Sequence, residues 1–169
     1  MHRVRQIVLI AAVLAISWFG MQAIHELGHV LGAYLTCGRI ERIVLNPLTI
    51  SRTDLSENPH PLLVAWAGPI FGSSAPLLLW MAVFCAAKHA IVRLMRLLQF
   101  FAGFCLLSNG LYISLGAFHQ IGDSGDLLHH GAPIWHLWLF GALTAPLGLI
   151  LWHKIGPLSA LTPSKATTT

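Results

Sequence analysis

The stretch from His25 to His29 reads HELGH, and it closes an uncharged apolar run, IVLIAAVLAISWFGMQAI, that begins at Ile7. Two imidazoles and a carboxylate are costly groups to set at the edge of a membrane segment, and such groups are retained there for function. The run is long enough, with a few residues of the following helix, to cross a hydrocarbon core that takes roughly 20 residues. The fold therefore follows from one reading: a membrane helix that carries chemistry at its end.

Composition agrees with a bilayer as solvent. Of the 169 residues, 56% are hydrophobic and 9% are charged, against about 25% charged in soluble domains. The length suits one domain, taken as residues 1–155, with the polar tail 156–169 (ending LTPSKATTT) outside it and expected to be disordered. A formal charge of +4 is too small and too scattered to argue for nucleic acid. Cys37, Cys85 and Cys105 form no C-x-x-C pair, so buried thiols are expected rather than a disulfide framework. The first apolar run is too long for the core of a cleaved signal peptide and has no A-x-A site after it.

The fold class expected is an all-α membrane protein of about four transmembrane helices, with a short strand-like loop after the first. The first span is Ile7 to Ile24, continuing as helix through the histidines towards Cys37. The others run from Leu62 to Ala87, Leu97 to Phe118 and Pro133 to Trp152. Trp135 and Trp138 at one end of the fourth span, and Trp152 at the other, fit an aromatic belt. Between spans one and two, β-branched residues and an Asn46-Pro47 turn signal predict two short strands, Ile40–Leu45 and Leu48–Arg52. Seven basic residues (Arg3, Arg5, Lys88, Arg93, Arg96, Lys154 and Lys165) fall on one side of this layout. Arg39, Arg42 and Arg52 fall on the other. The positive-inside rule then puts both termini in the cytoplasm and HELGH at the outer face.

On a helix, positions i and i+4 share a face, so His25 and His29 can present two imidazoles to one ion. Glu26 lies about 100° round the helix from His25, within reach of a metal-activated water without being a ligand. A catalytic zinc keeps three protein ligands and one open position. Spans one and three run in the same direction, so groups following span three lie at the same face as HELGH. Asp123 and Asp126 qualify, as do His60, His119, His129, His130 and His136; His2, His89 and His153 lie opposite.

The residues now resemble the site-2 proteases, intramembrane zinc metallopeptidases. HELGHVLGAYLTCGRIERI is similar to the family's H-E-x-x-H helix and its basic, strand-forming continuation. AWAGPIFG (Ala65 to Gly72) is similar to the A-G-P that opens its next span, and GDSGDLL (Gly122 to Leu128) to its D-G-G-x-x-L motif. Ser124 stands where that motif has glycine, and Gly72 where an asparagine often follows the A-G-P. Asn109 lies fourteen residues upstream of Asp123, where the family keeps an asparagine closer.

The resemblance implies one zinc ion held by His25, His29 and Asp123, with Glu26 as the catalytic base and a membrane-embedded protein or peptide as substrate. It also implies a catalytic centre nearer the cytosolic face, opposite to the charge count. The expected setting is a multi-pass integral protein of the plasma (inner) membrane of a prokaryote. Local sequence favours Asp123 over Asp126 as third ligand. Gly122 and Ser124-Gly125 let the chain turn tightly at Asp123, whereas Asp126 reads as the N-cap of a short helical turn, DLLHHG, or as a partner to a ligating histidine. Asn109 is the candidate substrate-binding group. Gly68 and Pro69 read as a close-packing site and a kink. The competing class is a non-enzymatic membrane metal-binding protein, or an inactive relative with a partner-binding role. Glu26 argues against it, because a carrier needs no base between two ligands.

Overall fold

The computed structural model describes residues 2–46, 48–86 and 92–155. In chain order the elements are α1 (His2–Leu35), β1 (Arg39–Val44), β2 (Arg52–Glu57), α2 (Pro61–Ala86), α3 (Val92–His119), α4 (Gly122–His129) and α5 (Ile134–Ile155). Four of them, α1, α2, α3 and α5, are long and apolar enough to cross a membrane. Helices are forced there because a backbone in hydrocarbon must satisfy its own hydrogen bonds. The four-span all-α class with a small hairpin after the first helix is the observed architecture. Pro47, Ala87 at the end of the second expected span, Lys88, His89, Lys165 and the tail 156–169 lie outside the described residues.

Glycines record how the spans pack. Gly28 and Gly32 of α1 face Ala67, Gly68 and Val64 of α2, and Gly72 faces the His25 backbone, so these helices run antiparallel in close approach. Gly20 of α1 faces Phe101, while His25 reaches Asn109, so α1 and α3 run parallel. Gly103 meets Gly148, and Gly110 meets Ala145, in an antiparallel α3–α5 seam of small residues. Trp152, read as a belt residue, instead lies in that seam. Its indole N–H donates to the Phe100 carbonyl at 2.9 Å, and its ring stacks on Phe100.

Both helices that lead to the site end in the same way. The Gly38 N–H donates to the Ala33 carbonyl around Cys37 (φ 59°), and the Ile121 N–H donates to the Gly116 carbonyl around Gln120 (φ 51°). These are Schellman-type closures with a left-handed residue after the last turn, here built without glycine at that position.

The hairpin departs from expectation in one strand. β1 is offset by one residue from its reading, but β2 occupies Arg52–Glu57 rather than Leu48–Arg52. The segment read as strand is taken by side-chain bonds. Asn46 Oδ1 accepts from the Leu48 N–H, the Ser51 hydroxyl accepts from the Asn46 N–H, and the Ser51 N–H donates to Gln22 Oε1 of α1. Pairing begins only beyond that anchor, with Val44 opposite Arg52 and Arg42 opposite Asp54. The Arg42 guanidinium bonded to the Asp54 carboxyl holds it below the usual carboxylate range.

Candidate metal centre

His25 and His29 sit one turn apart on α1 and are buried, at 6% and 7% exposure. Each ring is oriented by its Nδ1. His25 Nδ1–H donates to Asn109 Oδ1 at 2.6 Å, and His29 Nδ1–H donates to the Val64 carbonyl at 2.8 Å. The Asn109 amide nitrogen donates in turn to the Cys105 carbonyl at 2.8 Å, which fixes the oxygen on the His25 side. Both imidazoles in their neutral form therefore carry a bare lone pair at Nε2.

Asp123 arrives from the other side. After Gln120 the chain reverses through Gly122 (φ 54°), where a Cβ would overlap the Tyr112 hydroxyl. The Asp123 N–H donates to that hydroxyl at 3.2 Å, and the Ser124 hydroxyl donates to the Ile113 carbonyl at 3.0 Å. Ser124 is fully buried, and the missing side chain of Gly116 makes its room.

Three donor atoms converge as a result. Asp123 Oδ2 lies 2.6 Å from His25 Nε2 and 3.3 Å from His29 Nε2, and the two Nε2 atoms are 3.1 Å apart. Burial alone would raise the Asp123 carboxyl, but the His25 and His29 imidazoles beside it outweigh that and hold it below the usual carboxylate range. With each Nδ1–H already donating, a neutral imidazole turns only a lone pair to the carboxylate, so a cation shared by the three donor atoms, a proton or a metal ion, is what lets them sit this close. The donor set, two imidazole nitrogens and one carboxylate oxygen with the far side of each ring hydrogen-bonded, has the chemistry of a zinc site. Among the described residues, His25, His29 and Asp123 are the group that could hold a metal ion.

Glu26 is 4% exposed, and its Oε2 accepts from the Thr53 hydroxyl of β2 at 2.8 Å. With His29, Asp123, Tyr112 and the segment 51–55, it borders a cavity of about 580 Å³.

Residues 6–115 match the family profile described as Peptidase M50B-like. The chain belongs to that family. It is the site-2 protease membership to which the motifs pointed, and the match includes His25, Glu26, His29 and Asn109 but ends before Asp123. No curated protein and no solved structure matches the chain. With four helices able to span a bilayer, this M50B-like protein is an integral membrane protein.

Other expectations are modified in this M50B-like protein. Asn109 is 1% exposed, its amide is bonded to His25 and Cys105, and it lines a small cavity beside His25. Asp126 is not a cap: α4 begins four residues earlier, after Ile121, and Asp126 is an exposed mid-helix residue at the cavity rim. Gly68 does serve close packing, since a Cβ there would overlap the His29 ring, and Pro69 is fully buried next to it within a continuous α2. His60, His119, His129 and His130 are exposed, and His136 packs against Trp135, so none joins the cluster.

Sequence reasoning missed Tyr112, Thr53 and the Val64 carbonyl. An aromatic in an apolar helix and a threonine in a strand carry no signal of their own, and a carbonyl carries none at all.

Proposed function

We propose that this M50B-like peptidase is an intramembrane zinc metalloprotease that hydrolyses peptide bonds of membrane-embedded protein substrates. The observation that carries the reading is the convergence of three lone-pair donors at one point, with a buried carboxylate, Glu26, on the same cavity. His25, His29 and Asp123 would hold one zinc ion. A zinc ion bound there supplies Lewis acidity, lowering the pKa of water towards about 7 and polarising a peptide carbonyl.

The chain's own groups do the rest. Glu26 takes a proton from the attacking water and returns it to the leaving amine. The Thr53 hydroxyl holds Oε2 and leaves Oε1 to handle that proton. A transmembrane helix has no free backbone to attack, so the substrate must unwind. β2 pairs with β1 on one edge, and the segment 51–55 at its start borders the cavity. Its other edge offers N–H and C=O groups to an extended peptide. The bond from Thr53 to Glu26 ties that strand to the base.

The direct test uses purified protein in lipid and a single-spanning reporter peptide. Cleavage should stop when a chelator strips the metal and return when zinc is restored at about one ion per chain. Cleavage that survives complete metal removal would refute the proposal.

Asn109 has a positioning role in this reading, because it sets the His25 ring. Asn109→Ala should weaken zinc binding by about 10–100-fold, measured by competition with a chromophoric chelator, while the protein remains helical by circular dichroism. An unchanged affinity would show that the His25 ring needs no such partner.

A further inference from the structure

A second, smaller cavity of about 80 Å³ adjoins the metal centre on the side of α1 that precedes His25. Met21, Gln22 and Asn109 line it, and it shares Glu26, Ile50 and Ser51 with the large cavity. Its neighbourhood holds a buried polar group without a counterpart. Gln22 is 5% exposed, and its amide nitrogen has no hydrogen-bond acceptor among the described residues. The amide cannot be turned round to cure this. The Ser51 backbone N–H donates to Gln22 at 3.1 Å, so the atom facing it must be the oxygen, and the Ser51 hydroxyl bonds to the same atom. Two N–H donors are left over in a buried setting, where an unmet donor is costly.

We propose that this cavity is a substrate subsite, and the proposal rests on the peptidase reading above. It takes the side chain of a residue adjoining the scissile bond, while the Gln22 amide N–H donates to a main-chain carbonyl of the substrate. Position supports the assignment, because the cavity abuts the base Glu26 and lies at Ser51, the residue before β2. An extended peptide paired along β2 and cut near Glu26 carries its next residue to this place. Size sets the preference: the volume is about half of the ~150 Å³ that accepts a benzene ring, so a small aliphatic side chain fits and an aromatic one does not.

The test is a series of transmembrane reporter peptides carrying Ala, Val, Leu or Phe at each position flanking the cleaved bond, with the full-length zinc-loaded protein in lipid. At one of the two positions, wild type should favour Ala or Val over Phe by about tenfold or more in kcat/KM. Met21→Ala and Ile50→Ala enlarge the cavity from α1 and from the loop, and each should bring that ratio to about twofold or less. Ile50 is half exposed, so its truncation keeps the test open even if Met21→Ala fails to fold. Gln22→Glu keeps the acceptor for Ser51 and removes both donors. It should lower kcat/KM about tenfold across the whole series with the size preference intact. If Gln22 only anchors Ser51, the glutamate serves equally well and the rate stays at wild type, which overturns the donor role. A wild-type preference that neither cavity variant shifts overturns the subsite alone. A wild type that cleaves no member of the series while fully loaded overturns the peptidase reading itself.

Discussion

Replacing Glu26 by glutamine is expected to abolish cleavage of a membrane-embedded reporter while leaving the bound zinc in place. The two parts of that outcome have separate physical causes. Glutamine has the size of glutamate, and its amide oxygen can accept the Thr53 hydroxyl bond that Glu26 Oε2 now accepts at 2.8 Å. The hairpin therefore keeps its tie to α1, and the three donor atoms of His25, His29 and Asp123 keep their positions. What glutamine cannot do is take a proton from water. General-base catalysis contributes about 10²–10⁴-fold, so the rate should fall by at least that much. Metal content by mass spectrometry and reporter cleavage by gel answer the two parts. A variant that cleaves at the wild-type rate would remove Glu26 from the mechanism. One that loses its zinc would make Glu26 a ligand. The result also separates enzyme from carrier, since a metal-binding protein without hydrolytic activity has nothing for Glu26 to lose.

Which parts of this site can be read from the chain follows from the range over which each contact acts. His25 and His29 are legible because their geometry is set within one helical turn, and an apolar run of this length leaves helix as the only spanning structure. Asp123 is legible one level higher. Alternating spans put the end of α3 at the same face as HELGH, and that holds whichever way the protein is inserted. Its neighbour Asp126 was misread because Gly122-Asp123-Ser124-Gly125 looks like a turn that should delay the helix. The delay does not occur, because the Tyr112 hydroxyl and the Ile113 carbonyl hold Asp123 and Ser124 as the first turn of α4. Both bonds span eleven or more residues and leave no trace in local pattern. The same applies to β2. Leu48, Thr49 and Ile50 have strand propensity, yet Ser51 is bound to Gln22, 29 residues away, and the strand starts only after it. Asn109 shows the limit from the opposite direction. A polar residue in the middle of a span signals a role, but nothing in the local pattern names its partner, His25 Nδ1, 84 residues away.

The second large effect expected is at Asp123, and its comparison with Asp126 decides the third ligand. Asp123→Ala removes one of three donors and leaves two buried imidazoles facing each other across 3.1 Å. Zinc binding should fall severely and cleavage with it, because two histidines alone do not complete the set that a catalytic zinc uses. The fold should survive, since the Asp123 backbone N–H still bonds to the Tyr112 hydroxyl and Ser124 still anchors the turn to α3. Asp126 shares the loop, the charge and the cavity rim, but it is exposed and caps no helix. Its replacement by alanine should change stability by no more than about 0.5 kcal/mol, the usual range for a surface position, and should keep the zinc. Equilibrium dialysis on both variants, with thermal unfolding in the same detergent, measures these quantities side by side. Zinc lost from Asp126→Ala and kept by Asp123→Ala would move the ligand to Asp126. It would also require α4 to rotate by about 60°, because positions 123 and 126 are three residues apart on a helix of 3.6 residues per turn. Since Ser124 is buried beneath Gly116 and Leu127 is buried in the core, that rotation would expose both, and this is the physical reason for placing the ligand at Asp123.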